Sequence, residues 1–392
     1  DKARALLAAS ISYHRREVKP EWWGIFDSAK QEIEELERDE SAMVIEKAHS
    51  TSWDRTGRQR SERREITITS SSGEDLRFIY DSKSKPHLLY TTLHEKRLEV
   101  TGFERSIIAA EVSQIEANKL VIIEKCSDKQ LTWPELPIAL LPGKPISGKP
   151  ISDAIRNDLA SSVLLNIQNR LPVFPDEAWA DILLRRQPRQ LSGSLPRGND
   201  HIQEIAKALV ESNNSYVAVQ GPPGTGKTHV GAHVIEYLIR EKGWRIAVVA
   251  QSHEVVENLL NSVLKVNTNI PIAKECKDGP NRPAYHKEKD EVINFVLNSQ
   301  YGCLIGGTAW TYARPAFRTL NLDLMVVEEA GQFALANTIA SVSAAKRALL
   351  LGDPQQLPQV SKATHVEPVN NSALEHLLGD KKTMPDDMSN FL

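Results

Sequence analysis

Gly221-Pro222-Pro223-Gly224-Thr225-Gly226-Lys227-Thr228 form a complete G-x-x-x-x-G-K-T loop, and it follows directly on the apolar run Tyr216-Val217-Ala218-Val219-Gln220. A fully apolar run of this length reads as a buried strand. Val230, Val234, Leu238 and Ile239 then recur at helical spacing, so the loop opens a helix whose positive end faces it. Glycines let the backbone approach phosphates and turn its N–H groups inward. Lys227 is placed to reach the β- and γ-phosphates, and the Thr228 hydroxyl to meet Mg²⁺. Gly221, Pro222, Pro223, Gly224, Thr225, Gly226, Lys227 and Thr228 are therefore the expected binding site of a nucleoside triphosphate.

Two later segments narrow the class. Leu322-Asp323-Leu324-Met325-Val326-Val327 runs into Glu328-Glu329-Ala330-Gly331-Gln332, which places paired carboxylates at the C-terminal end of a strand. Ala348-Leu349-Leu350-Leu351 runs into Gly352-Asp353-Pro354-Gln355-Gln356-Leu357-Pro358, whose Asp353 and Gln356 can sense a γ-phosphate. Three strand-end motifs in this order predict an α/β, RecA-like P-loop domain with a parallel sheet.

The phrases QGPPGTGKT, EEAGQ and GDPQQLP together resemble the first motor domain of superfamily 1 helicases of the Up-frameshift type. That resemblance implies further roles. Gln203, in Asp200-His201-Ile202-Gln203, would read adenine. The segment from Ala250 to Leu259, with Ser252 and His253, and the segment Gly306-Gly307-Thr308-Ala309-Trp310 would contact a nucleic-acid strand. Trp310 can offer a stacking face or pack in the core. Thr228 and Glu328 would hold Mg²⁺, Glu329 would orient and deprotonate the attacking water, and Gln356 would link the γ-phosphate to the strand surface. The family carries aspartate where this chain has Glu328. The extra methylene matters because Mg²⁺ requires near-octahedral geometry at about 2.0–2.1 Å.

More narrowly, QSH, GTAW with Tyr312-Ala313-Arg314-Pro315, and the run from Tyr13 to Trp23 resemble bacterial proteins that fuse a RecB-like nuclease to such a motor. The chain opens inside an apparent helix and stops where the family would enter its next motif. The expectation is thus a fragment, with a nuclease upstream and a second RecA-like domain carrying an arginine finger downstream. Expected cofactors are ATP and Mg²⁺; the expected partner is single-stranded nucleic acid, DNA before RNA. An ATP-gated switch or scaffold without translocation, or an interaction module for the nuclease, are the competing readings.

Composition adds exclusions. A formal net charge of −3 argues against a histone-like protein while leaving room for a local basic groove. Cys126, Cys276 and Cys303 are far apart and suggest neither a disulfide framework nor a zinc site. No apolar stretch approaches the roughly 20 residues that span a bilayer, so no membrane partner and a cytoplasmic location are expected.

Before the motor, residues 1–54 read as a helical segment with an acidic, solvated run from Gln31 to Glu37. Arg55, Arg58, Arg60, Arg63 and Arg64 read as a polar linker or a nucleic-acid contact. Residues 55–133 alternate as short strands, 65–69, 76–80, 107–112 and 120–124, and fit a small antiparallel β-barrel. By resemblance that barrel lies over the bound strand; by pattern alone it can equally brace the motor. Residues 134–195 read as a proline-rich extended connector followed by stalk helices at 153–169 and 175–186. The motor itself occupies 196–392, with a polar loop at 267–290.

Overall fold

A computed structural model describes the chain except residues 56–59, 70–75, 77–84, 94–104, 194, 197, 199, 276–284, 358 and 382. It packs as two compact units, Asp1–Glu17 with Ser147–Leu392, and Val18–Ile146.

Helix α1 (Lys2–Glu17) belongs to the first unit. The second unit begins with α2 (Lys19–Ser28) and α3 (Ile33–Leu36). Its seven strands are β1 (Met43–Val44), β2 (Lys47–Ser50), β3 (Glu62–Thr69), β4 (His87–Tyr90), β5 (Ser106–Ile115), β6 (Lys119–Cys126) and β7 (Ala139–Leu141). They form one antiparallel sheet in the order β1-β7-β4-β5-β6-β3-β2. The two edge strands follow each other in the chain across Ile45 and Glu46, so so short a link brings the sheet's edges together into a barrel-like roll. Side chains alternate across it. Leu88, Tyr90, Ile108, Ala110 and Leu140 face one apolar cluster, while Leu89, Ile107, Ala139 and Leu141 face another built with Ile25, Ala29 and Leu36 of the helical segment.

Both faces of the β7-β4-β5 part of the sheet are thereby buried, which explains boundaries that differ from the sequence expectation. Residues 18–54 supply the outer cover and two strands of the same sheet. The proline-rich stretch contains β7, an interior strand paired with β1 and β4, because its Ala139–Leu141 core carries no proline. Of the expected strand at 76–80, only Leu76 lies within the described residues.

Arg64 is the sharper correction. Grouped in the sequence with a linker or strand-contact cluster, it is 2% exposed. Its Nε donates to Glu124 Oε2 at 2.8 Å, and its other nitrogens donate to the Tyr90 hydroxyl and the carbonyls of Trp133 and Glu135. Glu124 is fully buried. A charge pair out of water survives only when its remaining hydrogen-bonding positions are filled, and these are. Arg58 lies outside the described residues.

The first unit resumes with α4 (Lys149–Ala154), a π-helical stretch at Ile155–Ala160, α5 (Ser161–Gln168) and α6 (Ala178–Leu184). It continues through α7 (His201–Glu211), β8 (Tyr216–Gln220), α8 (Lys227–Lys242), β9 (Arg245–Val249), α9 (His253–Val266), β10 (Ile272–Glu275), β11 (His286–Lys287) and α10 (Lys289–Asn298). After these come β12 (Cys303–Gly307), α11 (Ala309–Tyr312), α12 (Pro315–Arg318), β13 (Leu322–Val327), α13 (Leu335–Val342), β14 (Ala345–Gly352), α14 (Ala373–Leu378) and β15 (Ser389–Phe391). The eight strands pair in parallel in the order β11-β10-β12-β9-β13-β14-β8-β15. β8 and β12 are buried along their whole length, as a parallel sheet covered by helices on both faces requires. The 267–290 stretch contains β10 and β11, so Lys274 is a buried strand residue; Lys277 and Arg282 lie outside the described residues. Among those described, no helix is long and apolar enough to cross a membrane.

Candidate functional site

Sheet order decides what meets what. β9, β13, β14 and β8 are consecutive neighbours, so the chain leaving each strand's C-terminal end emerges along one rim. Gln220, Gly352, Leu350, Val327 and Val249 follow one another in register across these strands. The phosphate loop, the 352–356 turn, the 328–332 carboxylate segment and the Gln251–His253 segment therefore stand side by side. β12 adds Thr308 at the next position.

The loop between β8 and α8 is exposed from Pro222 to Gly226, and Lys227 and Thr228 are half-buried. Gly224 and Gly226 hold φ of +83° and +87°, a left-handed backbone that other residues resist. Gly221 is needed for closeness: a Cβ there would meet Thr225 Oγ1 at 2.6 Å. The Lys227 Nζ donates to the carbonyls of Gly221 at 2.6 Å and Pro222 at 3.0 Å, which holds the ammonium inside the loop's curve. An exposed helix N-terminus with a lysine at its centre fits a polyphosphate.

Across from the loop, the Thr228 hydroxyl donates to Glu328 Oε1 at 2.6 Å. Glu328 is only 5% exposed, and its Oε2 is buried with no hydrogen-bond partner. Burial foremost, with a smaller push from the Glu329 charge, raises its pKa to about 7 against the pull of Thr228 and Lys227. A hydroxyl and a half-satisfied carboxylate at hydrogen-bond distance are a donor set that suits a hard, oxygen-seeking cation such as Mg²⁺. The longer glutamate arm is thus accommodated by reaching Thr228 directly.

This geometry carries a pH prediction for the Mg²⁺-free protein. Because burial favours the neutral acid, the stability Glu328 contributes is fully present below its ordinary value of 4.5 and is lost as pH rises through about 7. The melting temperature should fall across that window by more than in Glu328→Gln. Added Mg²⁺ should flatten the difference; equal slopes in both proteins would refute the burial argument.

Glu329 is half-buried and sits at φ +56°. Its flanking amides stay bonded, Glu328 N–H to the Val249 carbonyl and Ala330 N–H to the Leu351 carbonyl. The backbone is therefore turned at Glu329 alone, which sends two adjacent carboxylates to different surroundings. Gly331 allows the next turn to come close, since a Cβ there would meet the Asp353 carbonyl oxygen at 2.1 Å. Asp353 is 7% exposed and its carboxylate accepts from Gln355 N–H at 3.0 Å, so it shapes the turn that presents Gln356. Gln332 Nε2 donates to Gln356 Oε1 at 3.2 Å and links the carboxylate segment to this turn. Gln332 was visible in the EEAGQ phrase, but nothing in the sequence assigned it a partner.

The remaining expected residues are placed as follows. Gln203 is exposed in the first turn of α7, whose start is capped by the Asp200 carboxylate accepting from Ile202 and Gln203 N–H. Ser252 caps α9 by accepting from Val255 N–H at 3.2 Å, and the exposed His253 opens that helix. Thr308 caps α11 in a capping box with Thr311. Trp310 is half-buried; its indole N–H donates to the Ser147 carbonyl at 2.9 Å, and its ring meets His14 edge-on at 5.1 Å. Among the described residues there is no cluster of three or more His, Cys, Asp or Glu that could hold a metal ion.

A family model described as an AAA domain matches residues 199–377, the segment holding every one of these strand-end motifs. Residues 199–377 therefore have a RecA-like P-loop fold, with the parallel sheet that the strand-end motifs predict. The DNA replication ATP-dependent helicase/nuclease DNA2 of Saccharomyces cerevisiae is 27% identical over 53% of this chain, and its counterpart in Gallus gallus is 23% identical over 66%. The regulator of nonsense transcripts 1 of Caenorhabditis elegans is 31% identical over 23% of the chain. The matched regions make up 13%, 26% and 8% of those proteins, so this chain spans a minor part of the length of each.

Proposed function

We propose that this chain is the ATP-hydrolysing motor part of a helicase or translocase acting on single-stranded nucleic acid, DNA before RNA. The observation that carries the reading is the shared rim, where the nucleotide motifs on β8, β14 and β13 adjoin the Ser252, His253 and Thr308 segments on β9 and β12. A phosphate site beside a strand-contact surface, joined by the Gln332–Gln356 bond, is the arrangement a coupled motor requires. Trp310 belongs to the strand surface through its remaining exposed area.

In this reading the loop N–H groups and Lys227 bind the phosphates, and Gln203 contacts the base. Mg²⁺, when bound, would supply neutralisation of the developing phosphate charge. Thr228 and Glu328 would hold that ion, Glu329 would orient the water and take its proton, and Gln356 would register the γ-phosphate. The finer resemblance makes a RecB-like nuclease and a second RecA-like domain the expected companions in the full-length protein. It is supported by the helicase/nuclease names of the relatives and by the QSH and GTAW phrases.

Lys227→Ala tests the reading. A charge-assisted contact to phosphate is roughly twice as strong as a neutral one, and Lys227 lies in a surface cradle whose loss leaves no core cavity. Affinity for a fluorescent ATP analogue should fall beyond about a hundredfold with the melting temperature within a few degrees. Undiminished affinity would remove this loop as the nucleotide site.

A further inference from the structure

Among the described residues, the turn at 353–357 is followed up to residue 372 by no helix or strand, and the Leu357, Val360 and Val366 side chains are 85%, 83% and 84% exposed. Apolar packing therefore does little to fix the chain just beyond Gln356. A side chain from α1 does so instead. The Glu17 carboxylate accepts from the Ser361 hydroxyl at 2.7 Å, from Lys362 N–H at 3.0 Å and from His365 Nε2 at 2.6 Å. Burial opposes ionisation there, but the bonds from His365, Lys362 and Ser361 outweigh it and hold the Glu17 carboxyl below its ordinary value. Tyr13, one turn earlier on the same face, lies against the His365 ring at 5.0 Å.

The adjacent residue of that turn reaches the other half of the rim. His14 Nε2 bonds Asn337 Oδ1 on α13 at 2.7 Å, and the His14 ring abuts Trp310 on α11, two residues beyond Thr308. One turn of α1 is thus in contact both with the segment leaving the γ-phosphate turn and with the helix that begins at the strand-contact residue Thr308.

We propose that the Tyr13-His14-Glu17 turn is a coupling clasp and Glu17 a positioning residue, transmitting nucleotide occupancy to the strand surface without touching either ligand. The inference rests on the ATP-driven strand-binding function argued above. A coupling free energy between two sites requires an element both can bias. Here the element is the stretch just beyond Gln356, whose Leu357, Val360 and Val366 side chains are exposed and which Glu17 ties to α1 at Ser361, Lys362 and His365.

The test is equilibrium binding of a fluorescent oligo(dT) to the 392-residue chain, with and without ATPγS. In the parent protein the analogue should change strand affinity by a factor within the usual 5–150-fold range, about tenfold being expected. In Glu17→Ala that factor should collapse to within about twofold of unity, while affinity for each ligand alone stays within about threefold. Ser361→Ala, a milder change at a half-buried position, should reduce the factor partway, which guards against a Glu17 variant that does not fold. A purely structural role would lower the melting temperature and leave the factor intact, and that result overturns the proposal. A parent protein that binds both ligands without coupling also overturns it and leaves the motor-site reading standing. Failure of the parent protein to bind ATPγS at all defeats the function on which it rests.

Discussion

Glu329→Gln is expected to slow ATP hydrolysis by about 10²–10⁴-fold, the usual contribution of a positioned general base, with nucleotide affinity nearly unchanged. The structure separates the two carboxylates by environment. Glu328 is buried, bonded to Thr228 and pushed toward neutrality, which suits it to hold a cation and not to accept a proton from water. Glu329 is the more exposed, on a left-handed backbone that costs roughly 1–2 kcal/mol for a residue with a Cβ. Strain of that kind concentrates where a side chain must be aimed. Glutamine keeps the shape and removes the base, so single-turnover hydrolysis and nucleotide binding should part company. Equal rates in the two proteins would move the base elsewhere on the rim.

Arg64→Met is expected to destabilise the antiparallel unit by about 3–5 kcal/mol, because it leaves the Glu124 charge in a dry interior without its counter-ion. Two compact units make a single melting curve ambiguous. The clean readout is amide hydrogen exchange in β3 and β6, which pair over their whole length. Protection there should fall by roughly a hundredfold to several thousandfold, taking 1.4 kcal/mol per tenfold, while β8 and β14 keep theirs. Arg64→Met combined with Glu124→Leu should recover much of the loss, since a well-packed apolar pair replaces a buried ion pair at little cost. Unchanged protection in the single variant would mean that the pair is solvated in solution.

The strand-end rim is legible in the sequence to an unusual degree. Apolar runs end at Gln220, Val327 and Leu351, and each is followed at once by residues whose chemistry is local: glycines with φ near +85°, a lysine, a carboxylate pair, an amide. Their roles need few partners distant in sequence. Thr228 and Glu328, 100 residues apart, are paired in the sequence only by the family resemblance, and the parallel sheet brings them to hydrogen-bond distance.

Other features were invisible for the opposite reason. Arg64 looked like one more surface charge because its partners, Tyr90, Glu124 and Trp133, lie 26 to 69 residues away. The strand at Ala139–Leu141 was hidden by flanking prolines, which speak only for their own backbone. Trp310 carried two readings that only its bond to Ser147, 163 residues distant, could begin to separate. Glu17 and Ser361 are 344 residues apart, and no pattern on α1 announces that its last turn anchors a loop.

The sequence by itself determined where a glycine-rich loop and paired carboxylates leave their strands, since backbone freedom at glycine and strand periodicity are short-range properties. Only the tertiary structure decided which charges are buried, which amide reaches Gln356 and which helix holds the loop beyond it. Desolvation and hydrogen bonding depend on what is brought within a few ångströms, and chain topology sets that distance.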